Sequence, residues 1–231
     1  MEPILNDQVC KKNQLISVSD AHCLVEANTN PNFKSIIDQF DYVLPDGLPS
    51  VWVGRSKGAK QMYRCTGADT FQTFMKLGAD KSVNHFLCGG KEGIADKLKE
   101  ACNHKFNNKH IVGIYTPPFR PMNETEWDEL ASQINASAAN VVWIGLSSPK
   151  QEAFALALSK KVNVEYIFTV GAVFDFFTGA KKRAPKWMQE NGLEWFYRLL
   201  QEPVRLFPRY GKVVPMFIYL NFKEWIKARF K

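Results

Sequence analysis

Short apolar runs rich in β-branched and aromatic residues alternate with helical patterns along most of this 231-residue chain. Such alternation is typical of a parallel sheet, because two parallel strands need a crossover connection, which is usually a helix. The six runs are 15–19, 42–44, 85–88, 111–115, 141–146 and 166–170. We therefore predict an α/β fold over residues 1–180: a Rossmann-like open, mainly parallel six-stranded sheet with helices on both faces.

The segments between these runs have helical spacing and helix-start signals. Predicted helices cover 21–28, 68–77, 91–102, 123–137 and 149–161. Asn123 is followed three residues later by Glu126, which predicts a capping box at the start of one helix.

The last fifty-one residues differ from the rest in charge. Residues 181–231 carry twelve Lys and Arg against four Asp and Glu, whereas the whole chain has a net charge of +7. We predict a basic, aromatic-rich helical appendage that meets an anionic partner: a phosphate, a diphosphate or an acidic membrane. The end of this appendage offers an apolar helical face that consists of Phe217, Leu220, Trp225, Ile226 and Phe230. The basic residues Lys223, Lys227, Arg229 and Lys231 flank this face. This helix can lie on a membrane, pack on its own body, or pack on a neighbouring subunit.

Several functional classes are disfavoured by what the sequence contains. No run approaches the roughly 20 apolar residues of a spanning helix. The five cysteines are scattered without a C-x-x-C pair, which favours a reduced cytoplasmic compartment. The histidines lack metal-ligand spacing, and the chain has neither the dinucleotide-binding glycine motif nor a P-loop.

Unusual residues follow the predicted strands, where open α/β sheets bind their ligands. Asp46 lies on a sharp turn between the second strand and a helix, Gly89 and Gly90 follow the third strand, and Gln151 and Glu152 open the helix after the fifth. Each also has a purely structural interpretation. The aspartate can form a local turn, the glycines a tight turn, and the glutamine and glutamate an ordinary first helical turn.

Taken in order, these motifs resemble the WecG/TagA/CpsF glycosyltransferases of bacterial surface-polymer synthesis. The resemblance runs from about Leu15 to Tyr210. It rests on Pro45-Asp46-Gly47, Thr66-Gly67-Ala68-Asp69, Ser148-Pro149-Lys150-Gln151-Glu152, Arg183-Ala184-Pro185, Glu194-Trp195, Arg198, Glu202-Pro203, Arg205 and Arg209-Tyr210.

The resemblance implies an inverting hexosyltransferase that moves a sugar from a UDP-sugar donor to a polyprenyl-diphosphate-linked sugar. Asp46 then stands in the place of the proposed catalytic base. We expect Arg64 to help match the charge of the leaving diphosphate, unless it merely pairs with a surface carboxylate. Since the chain has no D-x-D motif, protein cations and backbone N–H groups are expected in place of a metal, with no cofactor.

The resemblance also assigns the remaining site residues. The expected donor-binding residues are Asp20, Gly67, Asp69, Gly89, Gly90, Gly145, Gln151, Glu152 and Gly171. The expected acceptor-diphosphate and lid residues are Arg198, Arg205 and Arg209. We expect the protein to be cytoplasmic and peripheral on the anionic inner face of the cytoplasmic membrane, and self-association is left open.

One departure from the family pattern changes the side chains at the end of the first strand. The first strand commonly ends Thr-x-Asn in the family, whereas Val18-Ser19-Asp20 occupies that place here. Either Asp20 contacts sugar hydroxyls or the alignment slips by one residue. Such departures keep open a non-catalytic scaffold subunit of a polysaccharide assembly complex. Nucleic-acid binding is disfavoured, because glutamates interrupt the basic tail and no nucleic-acid module is present.

Overall fold

The computed structural model describes residues 12–229. Six strands form one sheet in the order β2-β1-β6-β5-β3-β4, and the sheet is parallel throughout. The strands are β1 Gln14–Ser19, β2 Tyr42–Pro45, β3 His85–Gly89, β4 Ile111–Tyr115, β5 Val141–Gly145 and β6 Tyr166–Thr169. The predicted six-stranded parallel sheet is thus confirmed.

Eleven helices accompany these strands within the described residues. They are α1 Ala21–Thr29, α2 Pro31–Ile37, α3 Leu48–Ser56, α4 Gly67–Asp80, α5 Ile94–Phe106, α6 Glu124–Ala136, α7 Lys150–Ser159, α8 Val173–Phe177, α9 Lys186–Glu190, α10 Glu194–Gln201 and α11 Pro203–Arg229. The capping box predicted at Asn123 and Glu126 is present at the start of α6. Helix α3 follows the turn at Asp46, where a helix was expected, whereas α2 was not predicted because its segment is short and lacks a clear apolar period.

Contacts divide the chain into two compact units. In the described part of the chain, unit 1 comprises 12–17, 36–43 and 67–181, and unit 2 comprises 18–35, 44–66 and 182–229. The basic C-terminal segment therefore shares its unit with the residues that follow β1 and with those that follow β2.

Unit 1 has an apolar core on each face of the sheet. On β5, Val142 and Ile144 belong to a buried cluster that includes Leu130 of α6 and Ala155 of α7. Trp143, which lies between them in sequence, points to the opposite face because side chains alternate along a strand. There its ring packs against aromatic rings of β6 and α4. The distances between ring centroids are 4.6 Å to Phe168, 4.9 Å to Phe71 and 5.5 Å to Phe74. The helices therefore cover both faces, as predicted.

Unit 2 is built around the long helix α11, which packs against α1 and α10. Leu206 and Val213 are buried on its inner side, seven residues apart, so they lie on the same side of the helix. The helix continues through Pro208 and Pro215.

The outer side of α11 is also apolar. The outer stripe of α11 consists of exposed apolar residues: Val204, Phe207, Ile218, Tyr219, Phe222, Trp225 and Ile226. The predicted face was partly wrong, because Phe217 and Leu220 are half-buried while Ile218, Tyr219 and Phe222 are exposed. Phe230 and Lys231 lie outside the described residues. Within 12–229, no helix combines the length and apolar character required to cross a bilayer.

Candidate active site

Two carboxylates of unit 2 are brought together where β1 and β2 end. The backbone N–H of Asp46 donates to the carbonyl of Ser19 at 3.0 Å, which places Asp46 next to the residue that precedes Asp20. Asp20 Oδ1 accepts from the backbone N–H groups of His22 at 2.9 Å and Cys23 at 3.1 Å. Asp20 is therefore the N-cap of α1, a role that its short acidic side chain suits.

The environment of Asp46 changes its acidity. Loss of water around its carboxyl group raises the pKa of Asp46 from its ordinary 3.8 to about 7, and the negative charges of Asp20 and Glu194 add to the rise. The positive charges of Arg198 and Arg64 oppose it but do not cancel it. A carboxylate with a pKa near neutrality can take a proton from a hydroxyl and hold it, which is what a general base must do.

Arg64 is held by the C-terminal segment of unit 2. Its Nη1 donates to the carbonyl of Gln189 at 2.6 Å, and its Nη2 pairs with Glu194 Oε2 at 2.9 Å. Its buried Nε has no hydrogen-bond partner among the described residues. The structure thus shows Arg64 paired with a carboxylate, as the structural interpretation of this residue expected, although Glu194 is partly buried rather than fully exposed.

The arginines expected at the acceptor differ in their surroundings. Burial lowers the pKa of Arg198, but nearby Tyr210, Asp20, Asp46 and Glu194 outweigh that effect and raise it. Arg198 forms no ion pair within 4.0 Å to any described residue. Arg205 instead pairs with Glu202, one helical turn away.

Arg209 lies near the start of α1. Burial lowers the pKa of His22, and the positive charges of Arg209 and Lys212 lower it further, against Asp20 and Glu26. Arg209 and Arg198 both influence the phenol of Tyr210, whose pKa is raised mainly by burial. Arg205 acts on the same phenol, so all three predicted acceptor arginines share one electrostatic neighbourhood with Asp20 and Tyr210.

In unit 1, Gln151 and Glu152 form a buried polar network at the start of α7. Gln151 Nε2 donates to Ser148 Oγ at 3.0 Å and to Glu152 Oε1 at 2.9 Å, and Ser148 Oγ donates to the same carboxylate oxygen at 2.8 Å. Gln151 Oε1 accepts from the backbone N–H of Gly171 at 3.0 Å. With exposures of 2% and 0%, the Gln151 and Glu152 side chains fix the loop that contains Gly171.

The predicted glycines of unit 1 are required by close packing. A Cβ on Gly89 would lie 2.6 Å from the carbonyl oxygen of Gly145, and the backbone at Gly89 has φ of +138°. A Cβ on Gly145 would lie 2.6 Å from the ring of Phe174. Gly90 donates its N–H to the same Gly145 carbonyl at 3.0 Å. The tight-turn interpretation therefore accounts for these glycines without any ligand.

The remaining pair of predicted residues opens α4. Gly67 is buried, and a Cβ there would lie 3.0 Å from the carbonyl oxygen of Val170. Asp69 is exposed in the first turn, where a negative charge is favoured by the helix dipole.

Sequence reasoning missed the role of Glu194. Its carboxylate contacts Arg64 at 2.9 Å and Arg183 at 3.6 Å, and Arg183 also donates to Thr66 Oγ1 at 3.1 Å. Thr66, Arg183 and Glu194 stand in the motifs shared with the family, and Arg64 shortly precedes one of them, but nothing in the sequence indicates that these residues meet. The available signal was the i, i+4 spacing of Glu194 and Arg198, which places both on one side of a helix. Among residues 12–229, no group of three or more His, Cys, Asp or Glu side chains is placed to hold a metal ion.

A comparison with family models bears on these residues. The model described as the glycosyl transferase WecG/TagA/CpsF family matches residues 3–231, which is nearly the whole chain. The match covers both units, including every residue of the Asp46 neighbourhood and of the Gln151 network. The chain therefore belongs to the WecG/TagA/CpsF family of glycosyltransferases, which act in cell-surface polysaccharide synthesis.

Proposed function

We propose that this glycosyltransferase moves a hexose-type sugar from a UDP-sugar to a sugar on a polyprenyl diphosphate, with inversion at the anomeric carbon. The observation that carries the proposal is the carboxyl group of Asp46, whose desolvation and acidic neighbours raise its pKa to about 7. Inverting transfer needs a base of this kind, because the acceptor hydroxyl loses its proton as its oxygen attacks.

In the proposed reaction, the acceptor oxygen forms a bond to the anomeric carbon while the bond from that carbon to the UDP oxygen breaks. The electron pair leaves with UDP, and the hydroxyl proton passes to Asp46. Ionised Asp46 is required for this step, so activity is expected to rise with pH through about 7. The protonated form then returns its proton to solvent.

The negative charge that grows on the leaving diphosphate must be stabilised. Arg198 supports this part of the proposal, since its guanidinium is coupled to Asp46 yet forms no ion pair within 4.0 Å in the described chain. Arg64 supplies a second positive charge near Asp46. We propose that these cations, with Arg205 and Arg209, bind diphosphate groups without a metal ion.

The proposed donor-binding residues of unit 1 act largely through backbone. Gln151 and Glu152 hold the loop that contains Gly171, and Gly67, Gly89, Gly90 and Gly145 keep neighbouring backbone segments close. Rigid loops of this kind orient a sugar nucleotide at little entropic cost. In unit 2, Asp20 has one carboxylate oxygen engaged in capping, and we propose that its other oxygen accepts from sugar hydroxyls.

The outer stripe of α11 supports peripheral membrane contact, which a polyprenyl acceptor requires. Phe222 and Trp225 are 57% and 54% exposed, and Arg229 lies over the Trp225 ring at 5.1 Å. Exposed aromatic rings beside basic residues are typical of helices that lie in an anionic membrane surface.

UDP release tests the proposed reaction. The purified chain is incubated with a panel of UDP-sugars, with and without a short-chain polyprenyl-diphosphate-sugar acceptor, and with and without EDTA. We expect release from one donor that depends on the acceptor and is unchanged by EDTA. Absence of release from every donor would support the scaffold alternative instead.

Vesicle flotation tests the membrane contact. We expect the full chain to float with anionic vesicles and the Phe222→Ser/Trp225→Ser variant to float much less. A matched variant, Val112→Ser, removes an exposed apolar side chain from unit 1 and should float like the parent. Equal flotation of all three proteins would exclude the α11 stripe as the contact.

A further inference from the structure

Glu194 lies at a junction that the proposed reaction leaves unexplained. It is the first residue of α10, and its two carboxylate oxygens contact two different arginines, Arg64 at 2.9 Å and Arg183 at 3.6 Å. The side chains of all three residues are largely shielded, with exposures of 27%, 15% and 26%. A shielded ion pair of this kind is costly to break, because each charge left behind is poorly hydrated.

Both arginines are anchored at a second point. Arg64 Nη1 donates to the carbonyl of Gln189 at 2.6 Å, and Arg183 Nη2 donates to Thr66 Oγ1 at 3.1 Å. Arg64 belongs to the segment between α3 and α4, whereas Arg183 and Gln189 belong to the segment that leads into α10. Through its two arginines, Glu194 therefore links both segments to the start of α10. The whole network belongs to unit 2.

The position of Glu194 on α10 connects this network to the proposed base. Arg198 follows four residues later, so it lies on the same side of the helix, one turn beyond Glu194. Fixing the first turn of α10 fixes the place of Arg198, which is electrostatically coupled to Asp46. Glu194 itself is also coupled to Asp46, as a negative charge.

We propose that Glu194 is a positioning residue of this enzyme: it clamps Arg64 and Arg183 and thereby holds α10 so that Arg198 stands beside Asp46. This proposal rests on the proposed role of Asp46 as base. Glu194 contacts no reacting atom in it. Its two effects are mechanical, through the anchored arginines, and electrostatic, through its charge.

The electrostatic effect has a defined sign. Glu194→Gln keeps the size of the side chain but removes a negative charge near Asp46, and it removes the carboxylate that pairs with Arg64. Both the loss of the Glu194 charge and the less compensated charge of Arg64 favour ionised Asp46, so the pKa of Asp46 should fall. At the separations of neighbouring groups in a partly shielded site, one charge moves a pKa by about 0.5–1 unit.

The test measures the titration of Asp46 directly and the pH profile of transfer separately. Carboxyl-carbon NMR gives the Asp46 titration in the parent and in Glu194→Gln, with the signal assigned by its loss in Asp46→Asn. We expect the Asp46 pKa to fall by about 0.5–1 unit and the acid limb of kcat/KM to move by the same amount. Glu190→Gln, which removes an equal charge from an exposed residue of α9, should change neither.

Glu194→Asp separates the mechanical effect of Glu194 from its electrostatic effect. It also keeps the proposal testable if Glu194→Gln does not fold. It keeps the charge but is too short to contact both arginines, so we expect kcat to fall at least tenfold while the Asp46 pKa stays within about 0.3 unit of the parent. Parent-like titration and kcat in both Glu194 variants, with unchanged thermal stability, would overturn the proposal. Because the NMR titration needs no turnover, it decides the role of Glu194 even if no UDP-sugar is used.

Discussion

Replacing Asp46 by asparagine should abolish transfer and yet make the protein more stable at neutral and alkaline pH. Asparagine has nearly the shape of protonated aspartate but cannot accept a proton or carry charge. The raised pKa means that the folded protein holds the Asp46 proton more tightly than the unfolded chain does. Ionising Asp46 therefore costs folding free energy, and asparagine avoids that cost.

The magnitude follows from the two pKa values. The difference between the ordinary 3.8 and the folded value of about 7 corresponds to about 4 kcal/mol at full effect. Asp46 is only partly buried, and screening by nearby solvent reduces this to about 2 kcal/mol. The penalty is absent below pH 3.8, grows between pH 3.8 and about 7, and is constant above that range.

Thermal unfolding of the parent and of Asp46→Asn across pH 4 to 9 checks this reasoning. A difference of about 2 kcal/mol raises the Tm of a chain of this length by about 4–8 °C. We expect the Tm values to be nearly equal at pH 4 and to separate by that amount at pH 8. Every other titrating group is common to both proteins, so the pH dependence of the difference reports Asp46 together with its interactions with Asp20, Glu194 and Arg198. A Tm difference independent of pH would refute the desolvated carboxylate, and full transfer activity in Asp46→Asn would refute its role as base.

Two further predictions concern Arg198 and the glycines. Arg198→Gln should move the acid limb of the kcat/KM profile to higher pH by about 0.5–1 unit, because it removes a positive charge that favours ionised Asp46. This shift is opposite in direction to the shift expected for Glu194→Gln, and the same pH profile measures both. In chemical denaturation without any donor present, Gly89→Ala should lower the free energy of unfolding by at least about 2 kcal/mol, because the added Cβ meets the backbone of Gly145. Gly93 also has a positive φ, of +76°, but has open space around it, so Gly93→Ala should lower the free energy of unfolding by about 1–2 kcal/mol. Equal costs for the two glycine variants would contradict the packing explanation.

The sheet could be predicted because its signal is local. Runs such as 141–146 and 166–170 are apolar on both sides of each strand, which indicates strands covered by helices on both faces. The structure confirms this: alternate residues of β5 face the two cores. Boundaries differed by a few residues, and α2 was missed, since short helices carry little periodic signal.

Only those features of the site that a single sequence motif specifies could be predicted. Asp46 was identified as a carboxylate on a turn, but its raised pKa depends first on desolvation by the folded protein and then on Asp20 and Glu194, residues far from it in sequence. The pairing of Arg64 with Glu194 spans 130 residues, and no local pattern specifies such a contact. Sequence likewise could not show that both ends of the Gln151 amide are already hydrogen-bonded within unit 1.

Arg64 and Arg198, the two arginines that act on the pKa of Asp46, differ in how available their charge is. Arg64 is already neutralised by Glu194 at 2.9 Å and fixed by the carbonyl of Gln189, so a phosphate would have to compete with a bound carboxylate. Arg198 is coupled to Asp46 but forms no ion pair within 4.0 Å in the described chain. In the proposed reaction, Asp46 loses its negative charge when it takes the acceptor proton, and the positive charge of Arg198 is then less compensated at the moment when the diphosphate becomes more negative. Proton transfer to the base and stabilisation of the leaving group are thus linked through one guanidinium, which makes Arg198, more than Arg64, the cation on which the proposed reaction depends.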